Sequence, residues 1–527
     1  MTWRSIRRVR LAVVVLALAS GAAARAAGKW EFKPSAAERR ALGSITPASL
    51  EAHLSFLSAD PLEGRGAGTT GLDVAAEYIA AQFRLAGLKP IGDDGYFQTT
   101  PRIRLAPATD GYECRLSVEG RVLDVPSRQF ALLASAGGNA PAVRALRLED
   151  APVVKVPFGG QFPEQMADAG RAAVITEFPA MPTDQAERTA FLDRRREFLA
   201  RLTAFKPALV VELRRDSTRS IDYFATRQLV DPALKTRPAS GPPVVALFGD
   251  TAAAAFDGLP NGPTRASFSV RLSPPAETDA PQRNVIGLLQ GSDPKLADTY
   301  VLVTAHYDGQ GTRPGPDRVW NSANDNGSGT VSVIELAAAL AATGKHPRRS
   351  VVFITFHGEE SGLVGSRFYA EHPVVPLEKT IGGINIEMVG RTDDTEGDQR
   401  KRASVTGFDF SDVGDVFRRA GEQTGVTVFK HPKNSDPYFG ASDNQALAAQ
   451  GVPVHTVCVT FEYPDYHGAA DTWQKIDYEN MTLTVRMIGT GVLILAQSDS
   501  EPRWNPAVKG ATRYLDAWNK RHPTEKR

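Results

Sequence analysis

YVLVTAH, Tyr300–His306, is the stretch on which the fold turns. It is short, apolar and rich in β-branched residues, and it ends abruptly in an ionisable side chain. It therefore reads as a buried strand. VSVIELAAALAAT (331–343) follows with apolar residues at helical spacing, and SVVFITFHGEE (350–360) reads as strand again. A helix near 363–371, the strand TIGGINIEM (380–388), the helix FSDVGDVFRRAGEQTG (410–425), the strand VPVHTVCVT (452–460) and a closing helix at 481–497 extend the pattern. Strands alternating with helices mean βαβ units, so an α/β fold with a mostly parallel, helix-covered sheet is expected.

Upstream, SLEAHLSFLSAD (49–60) and GLDVAAEYIAAQFRLAGL (71–88) read as helices, with Gly87 as a stop signal. Between 111 and 272 the texture changes to short β-like runs: CRLSVEG, APVVKVPF, AAVITEF, ALVVELR and PPVVALFG, with one helical stretch, DQAERTAFLDRRREFLARL. This reads as a separate β-rich insert, and SPPAETDAPQR (273–283) as the Pro-rich link back. The organisation expected is a signal peptide over 1–26, a main α/β domain from 27–110 and 273–510, the insert at 111–272, and a C-terminal tail at 511–527.

The signal peptide rests on Arg4, Arg7, Arg8 and Arg10, the apolar run LAVVVLALASGAAA and the small-x-small site Ala24-Arg25-Ala26. Export to the periplasm or medium is expected, with no membrane span once the signal is cut. Five arginines leave with it, so 56 basic side chains face 60 acidic ones. A slightly acidic chain without a basic cluster argues against a nucleic-acid partner. Cys114 and Cys458 are the only cysteines. They allow one disulfide or two small buried hydrophobes, and they exclude a disulfide-dependent scaffold.

The strand ends carry the chemistry. YVLVTAH runs into His306 and Asp308, SVVFITFHGEE ends in Glu359 and Glu360, TIGGINIEM in Glu387, and VPVHTVCVTFEYPDYH leads to His467. Ligands of open α/β sheets bind beyond the carboxyl ends of the strands, where these residues converge. Asp325, in the glycine-rich loop NSANDNGSGT (321–330), points into the same crevice, although an isolated reading makes it a helix cap. Two imidazoles with several carboxylates suit zinc, and also Mn or Co. The set suffices for two ions if one carboxylate bridges them. HExxH and GxSxG motifs are absent, and ANDNGSGT lacks the Lys of a P-loop. His346, His357, His372 and His431 read as structural, and Arg313, Arg318, Arg367 and Arg391 as charged surface positions.

AHYD, ANDNGSG, GEE and YH…ADTW, in this order, resemble the co-catalytic di-zinc aminopeptidases related to glutamate carboxypeptidase II and the transferrin receptor. The resemblance runs from ADPLEGRGAGTTG (59–71) to the terminal helix, and the insert resembles a protease-associated domain. It implies the zinc exopeptidase fold, peptide substrates and two zinc ions per chain. His306 and Glu387 would hold one ion, Glu360 and His467 the other, with Asp325 bridging. Glu359 would be the general base, Tyr466 the oxyanion donor, and Asp308 the residue orienting His306. Two positions depart from the usual pattern: Glu387 where many relatives carry Asp, and Asn444 where many carry His. An exported aminopeptidase is expected. A carboxypeptidase or dipeptidase of the same family is the nearest alternative, with a single-zinc glutaminyl cyclase and a non-catalytic binding protein further off.

Overall fold

The computed structural model describes residues 30–106, 110–133, 145–160, 162, 169–179, 185–215, 229–233, 241–313 and 316–523. The expected signal peptide at 1–26 lies outside them. Two compact units emerge, one comprising the chain to Thr100, Gln282–Thr312 and Val319 onward, the other Pro101–Pro281 with Arg313–Arg318.

In the first unit the helices α1 (Ala36–Gly43), α2 (Pro47–Leu57) and α3 (Thr70–Leu85) come first. Thr46 and Ser49 form a reciprocal capping box at the start of α2, with Pro47 in the first turn where its missing N–H costs nothing. Strands β1 (Lys89–Pro90), β2 (Phe97–Thr100) and β3 (Gln282–Leu289) form one edge of the central sheet. Then come β4 (Tyr300–His306), α4 (Gly329–Ala341), β5 (Ser350–Phe356), α5 (Val364–Glu371) and β6 (Thr380–Ile386). After β7 (Arg402–Val405), α6 (Val413–Thr424), β8 (Thr427–Phe429), α7 (Asn444–Ala449) and β9 (Val454–Cys458), the helices α8 (Tyr478–Gln497) and α9 (Thr512–Arg521) close the unit.

The strand order is β1-β3-β5-β4-β6-β9-β7-β8, with β2 also on β3. The centre, β5-β4-β6-β9, is parallel, while β3 pairs antiparallel with β5 and β7 with β9. Parallel pairing is thus concentrated where helices cover both faces. All seven residues of β5 are buried. Val351 and Phe353 face a core shared with α2, α3, α4 and α8, whereas Val352, Ile354 and Phe356 face the α5 and α7 side. Burial on both faces is why the strand reads as an unbroken apolar run rather than an alternation. Each such side chain contributes roughly 1.5–3 kcal/mol on leaving water.

A third cluster joins Phe410, Phe439, Trp504 and Tyr514. The expected tail at 511–527 is therefore corrected: Thr512–Arg521 is helical because Ala511 and Tyr514 are drawn into that core.

The second unit holds an eight-stranded sheet built on Gly262–Leu272, Leu146–Lys155, Ala173–Glu177, Leu209–Arg214 and Val244–Phe248, with the helix Gln185–Ala204 and its own apolar clusters. A smaller sheet pairs Ile103–Ala106 with Ala276–Asp279. Part of the expected Pro-rich link is thus a strand, and the unit extends beyond 111–272 at both ends. Cys114 and Cys458 are both buried free thiols. Among the described residues no helix is long and apolar enough to cross a membrane.

Candidate metal centre

His306 ends β4 fully buried, and its Nε2 lies 3.2 Å from Glu387 Oε1, 3.5 Å from Asp325 Oδ1 and 3.9 Å from Glu359 Oε2. His467 Nε2 lies 2.9 Å from the other oxygen, Asp325 Oδ2, and 3.6 Å from Glu360 Oε1. Each oxygen of Asp325 thus faces one imidazole. Two potential ligand groups result, His306–Asp325–Glu387 and Asp325–Glu360–His467, each with donor atoms within 4.8 Å of one another. Asp325 belongs to both.

The Asp325 loop is held by its neighbours in sequence. Asn326 donates to the Ile386 carbonyl at 2.9 Å and accepts from Gly329 N–H at 3.0 Å and Met388 N–H at 3.3 Å. Asn324 accepts from Gly390 and Arg391 N–H at 2.8 and 3.1 Å. The two asparagines staple the loop to the chain leaving β6, so the flanking amides of NSANDNGSGT are fasteners for the carboxylate between them. Asp325 does not cap α4: Ser328 occupies that position, without a side-chain cap bond.

Asp308 sits beneath. Its two oxygens accept from Glu359 N–H at 3.1 Å and Glu360 N–H at 3.2 Å, and Oδ1 stands 3.5 Å from His306 Nδ1. The Asp308 backbone carbonyl is nearer that nitrogen, at 3.2 Å. One carboxylate therefore sets the turn bearing both glutamates and faces the imidazole from behind, as metal-ligating histidines require. Tyr466 stacks on His467 with ring centroids 4.0 Å apart. Burial and the surrounding carboxylates push its phenol well above the usual value, so it remains a donor.

The charge balance tests the fit to metal. Asp308, Asp325, Glu359, Glu360 and Glu387 crowd two imidazoles. Burial raises Glu359 well above the usual carboxylate range, with Glu387, Glu360 and Asp443 adding to it and His306 opposing. Burial, with Asp325 beside it, pushes Glu360 up to about 7. Burial alone would lower His306, but Glu359, Asp308, Asp325 and Glu387 outweigh it and hold the imidazole well above its usual value. Glu360 Oε1 is buried without a hydrogen-bond partner. So many carboxylates in a low-dielectric pocket need cations, and the donor set suits borderline divalent ions.

All eight site residues named from the sequence are brought together here. Asp325, Glu359, Glu360, Glu387, Tyr466 and His467 line a cavity of about 380 Å³ with Met388, Thr406, Tyr438, Thr456, Cys458 and Phe461. His306 and Asp308 stand below. Of the other histidines, His357 is buried between Gln282 and Thr100, and His431 meets Glu396 at 3.3 Å. His346 and His372 each face a backbone carbonyl, of Gln290 and Phe368.

Three contributors had no role assigned from sequence. Arg65 is fully buried, and its guanidinium donates to the carbonyls of Leu57, Tyr307, Asn321 and Ser322 at 2.5–2.9 Å. Burial lowers it to about 10, opposed by Asp308, Asp471, Asp325 and Glu360. It underpins the loops beside the site, and Gly64 (φ 60°) is required before it because a Cβ there would meet the Trp320 carbonyl oxygen at 2.4 Å. Asp471 accepts several N–H groups behind Asp325. Asp443 is buried nearby, and burial pushes it up to about 7. The signals existed, since Arg65 lies in ADPLEGRGAGTTG and Asp471 in ADTW, but no local pattern states what either touches. Arg391 corrects an expectation: it is 5 % exposed, not a surface cation, and its guanidinium is paired with Asp465 and with the exposed Asp393.

Residues 284–491 match Peptidase family M28. Over 235 residues the chain is 29% identical to aminopeptidase YwaD of Bacillus subtilis, an alignment covering 43% of this chain and 48% of that protein. The chain thus spans about half the length of that curated relative, and smaller shares of others it matches. Among solved structures, an aminopeptidase from Aneurinibacillus sp. strain AM-1 superposes with a TM-score of 0.55 at 18% identity, covering 89% of this chain and 98% of that one. The Bacillus subtilis zinc aminopeptidase BSAP gives 0.52 at 21% identity, with 85% and 94% covered. These two likenesses are of fold. The parallel strands β4, β5, β6 and β9 and all eight site residues fall within residues 284–491, the segment that matches Peptidase family M28.

Proposed function

We propose that the protein is an exported, zinc-dependent aminopeptidase holding two ions, one on His306, Glu387 and Asp325, the other on Glu360, His467 and Asp325. The signal peptide over 1–26 delivers it to the periplasm or medium, and the second unit serves as a protease-associated insert. When bound, zinc polarises the scissile carbonyl and lowers the pKa of water toward neutrality. Glu359 would take a proton from the attacking water as its oxygen bonds to the carbonyl carbon, and pass it to the amine nitrogen as the C–N bond breaks, a task suited to a carboxylate whose basicity burial has raised. The Tyr466 hydroxyl donates to the oxyanion that develops on the carbonyl oxygen. Asp308 fixes the turn from which Glu359 and Glu360 project.

One observation supports cleavage from the amino end. Among its described lining residues the cavity has Asp325, Glu359, Glu360 and Glu387 but no Lys or Arg. A free α-amine is attracted to such a surround, whereas a terminal carboxylate requires a cation. Arg391, the cation nearest in sequence to Glu387, is already paired with Asp393 and Asp465. Mass spectrometry of free, N-acetylated and C-amidated peptides, with and without chelator, tests the reading. Loss of cleavage on N-acetylation and with chelator is expected. Cleavage indifferent to N-acetylation but abolished by C-amidation would reverse the polarity.

A further inference from the structure

Three successive backbone N–H groups of the loop carrying the bridging ligand converge on one residue. Ala323 N–H donates to the Asp471 backbone carbonyl at 3.2 Å. Asn324 N–H donates to the Asp471 carboxylate at 3.0 and 3.1 Å, and Asp325 N–H to its Oδ2 at 3.2 Å. Tyr463 Oη donates to the same Oδ2 at 2.9 Å. The carboxylate is 2 % exposed, so it bonds to these groups rather than to solvent. Asp471 also lies four residues after His467, in the segment bounded by Tyr463. It therefore joins the loop that presents Asp325 to the loop that presents His467.

From this geometry we infer that Asp471 is a positioning residue that locks those two loops together, so that the ion site of Glu360 and His467 depends on it more than the site of His306 and Glu387 does. The inference rests on the two-metal reading above. The asymmetry follows from how each ligand is held. His306 ends β4 and Glu387 follows β6, and both strands sit at the centre of the sheet with ladders on either side. Glu360 is fixed through its amide by Asp308. His467 belongs to no strand or helix, and its backbone is in the left-handed region at φ 51°, a conformation a non-glycine residue adopts only when its surroundings impose it. Asp394 holds the start of that loop through Phe461 N–H, Arg391 and Lys475 hold Asp465 at 2.9 Å each, and beyond His467 the Asp471 bonds tie it to the Asp325 loop. Asp325 itself keeps the Asn326 staple to β6 when Asp471 is altered.

Asp471→Asn isolates the effect. The amide keeps the volume but replaces one acceptor oxygen with a donor. With nitrogen at the Oδ2 position Asp325 N–H and the Tyr463 hydroxyl lose their acceptor; with nitrogen at the Oδ1 position a donor faces Asn324 N–H, which keeps only its 3.1 Å bond. Zinc titration of the apoprotein by calorimetry, with metal content after dialysis, is the measurement. In Asp471→Asn one ion should bind as in the unaltered protein, and the other about 10–100-fold more weakly, the usual cost of losing a partner behind the ligands. Activity should recover its kcat at raised zinc with KM unchanged. Tyr463→Phe, which removes a single donor and leaves the carboxylate, should show the same preference to a smaller degree, and it decides the matter if Asp471→Asn does not fold. Equal weakening of both ions in step with a fall in apoprotein thermal midpoint would overturn the inference in favour of a general structural role. So would two unchanged affinities in both variants. Failure of the unaltered protein to take up two ions would instead remove the metal reading on which it stands.

Discussion

Glu359 and Glu360 donate their amides to the two oxygens of Asp308, yet their side chains diverge. Glu360 Oε1 approaches His467 at 3.6 Å, whereas Glu359 Oε2 approaches His306 at 3.9 Å. Both lie in the turn beyond β5, and because each side chain faces a different imidazole neither can replace the other. The ligand grouping includes Glu360 and omits Glu359. Glu359→Gln keeps the shape and removes the proton acceptor. It should lower kcat by roughly 10²–10⁴-fold, the range of general acid–base catalysis, with zinc content unchanged. Glu360→Gln should instead deplete one ion and lower the thermal midpoint. Metal analysis and kinetics on the two variants side by side check the assignment; zinc loss in Glu359→Gln with retention in Glu360→Gln would exchange the roles.

Strand β9 shows how an element built for packing acquires a pH dependence. His455, at its second position, is fully buried. One ring nitrogen contacts the Thr406 carbonyl at 2.8 Å and the other the Ser411 hydroxyl at 2.6 Å. Burial lowers its pKa from the ordinary 6.5 to about 4, so the folded protein keeps it neutral. The unfolded chain takes up the proton at higher pH than the folded one. Stability from this residue is therefore complete above about pH 6.5 and is lost progressively as pH falls toward 4, by about 3 kcal/mol in all. Chemical denaturation of the apoprotein in EDTA at a series of pH values should show this decline. Its slope between pH 6.5 and 4.5 should shrink in His455→Gln, after allowing for the lower starting stability of the variant. An identical slope in the two proteins would assign the acid sensitivity elsewhere.

At the scale of the molecule, every proposed ligand lies in the first unit, whose cores are distinct from those of the second. Metal binding to the folded state alone stabilises it by mass action, about 4 kcal/mol at a thousandfold excess over Kd. For a unit of this size that corresponds to a thermal shift on the order of 10 °C. Scanning calorimetry with and without chelator should show that shift in the transition of the first unit and leave that of the second in place. Elemental analysis should find two zinc equivalents per chain, and a chelator-insensitive scan would contradict a metal centre among these residues.

How much could be read from sequence varied with the range of the interaction. The strands YVLVTAH and SVVFITF, the helices between them and the ionisable residues at the strand ends were legible because apolar period and strand polarity are local properties. They place His306, Glu359, Glu360 and Glu387 at one edge of a parallel sheet before any contact is known. The antiparallel flanks of that sheet were not legible, because pairing direction depends on which strands meet. Nor was the helix at Thr512–Arg521, whose Tyr514 is secured by Phe439 and Trp504 from elsewhere in the chain. The same division runs through the site. Which residues can bind metal follows from side-chain chemistry. That each oxygen of Asp325 faces a different histidine, that Arg391 is spent on Asp393 and Asp465, and that Asp471 gathers the amides behind Asp325 are facts of tertiary structure. A buried carboxylate or guanidinium is defined by the partners that replace its water, and those partners come from remote parts of the chain.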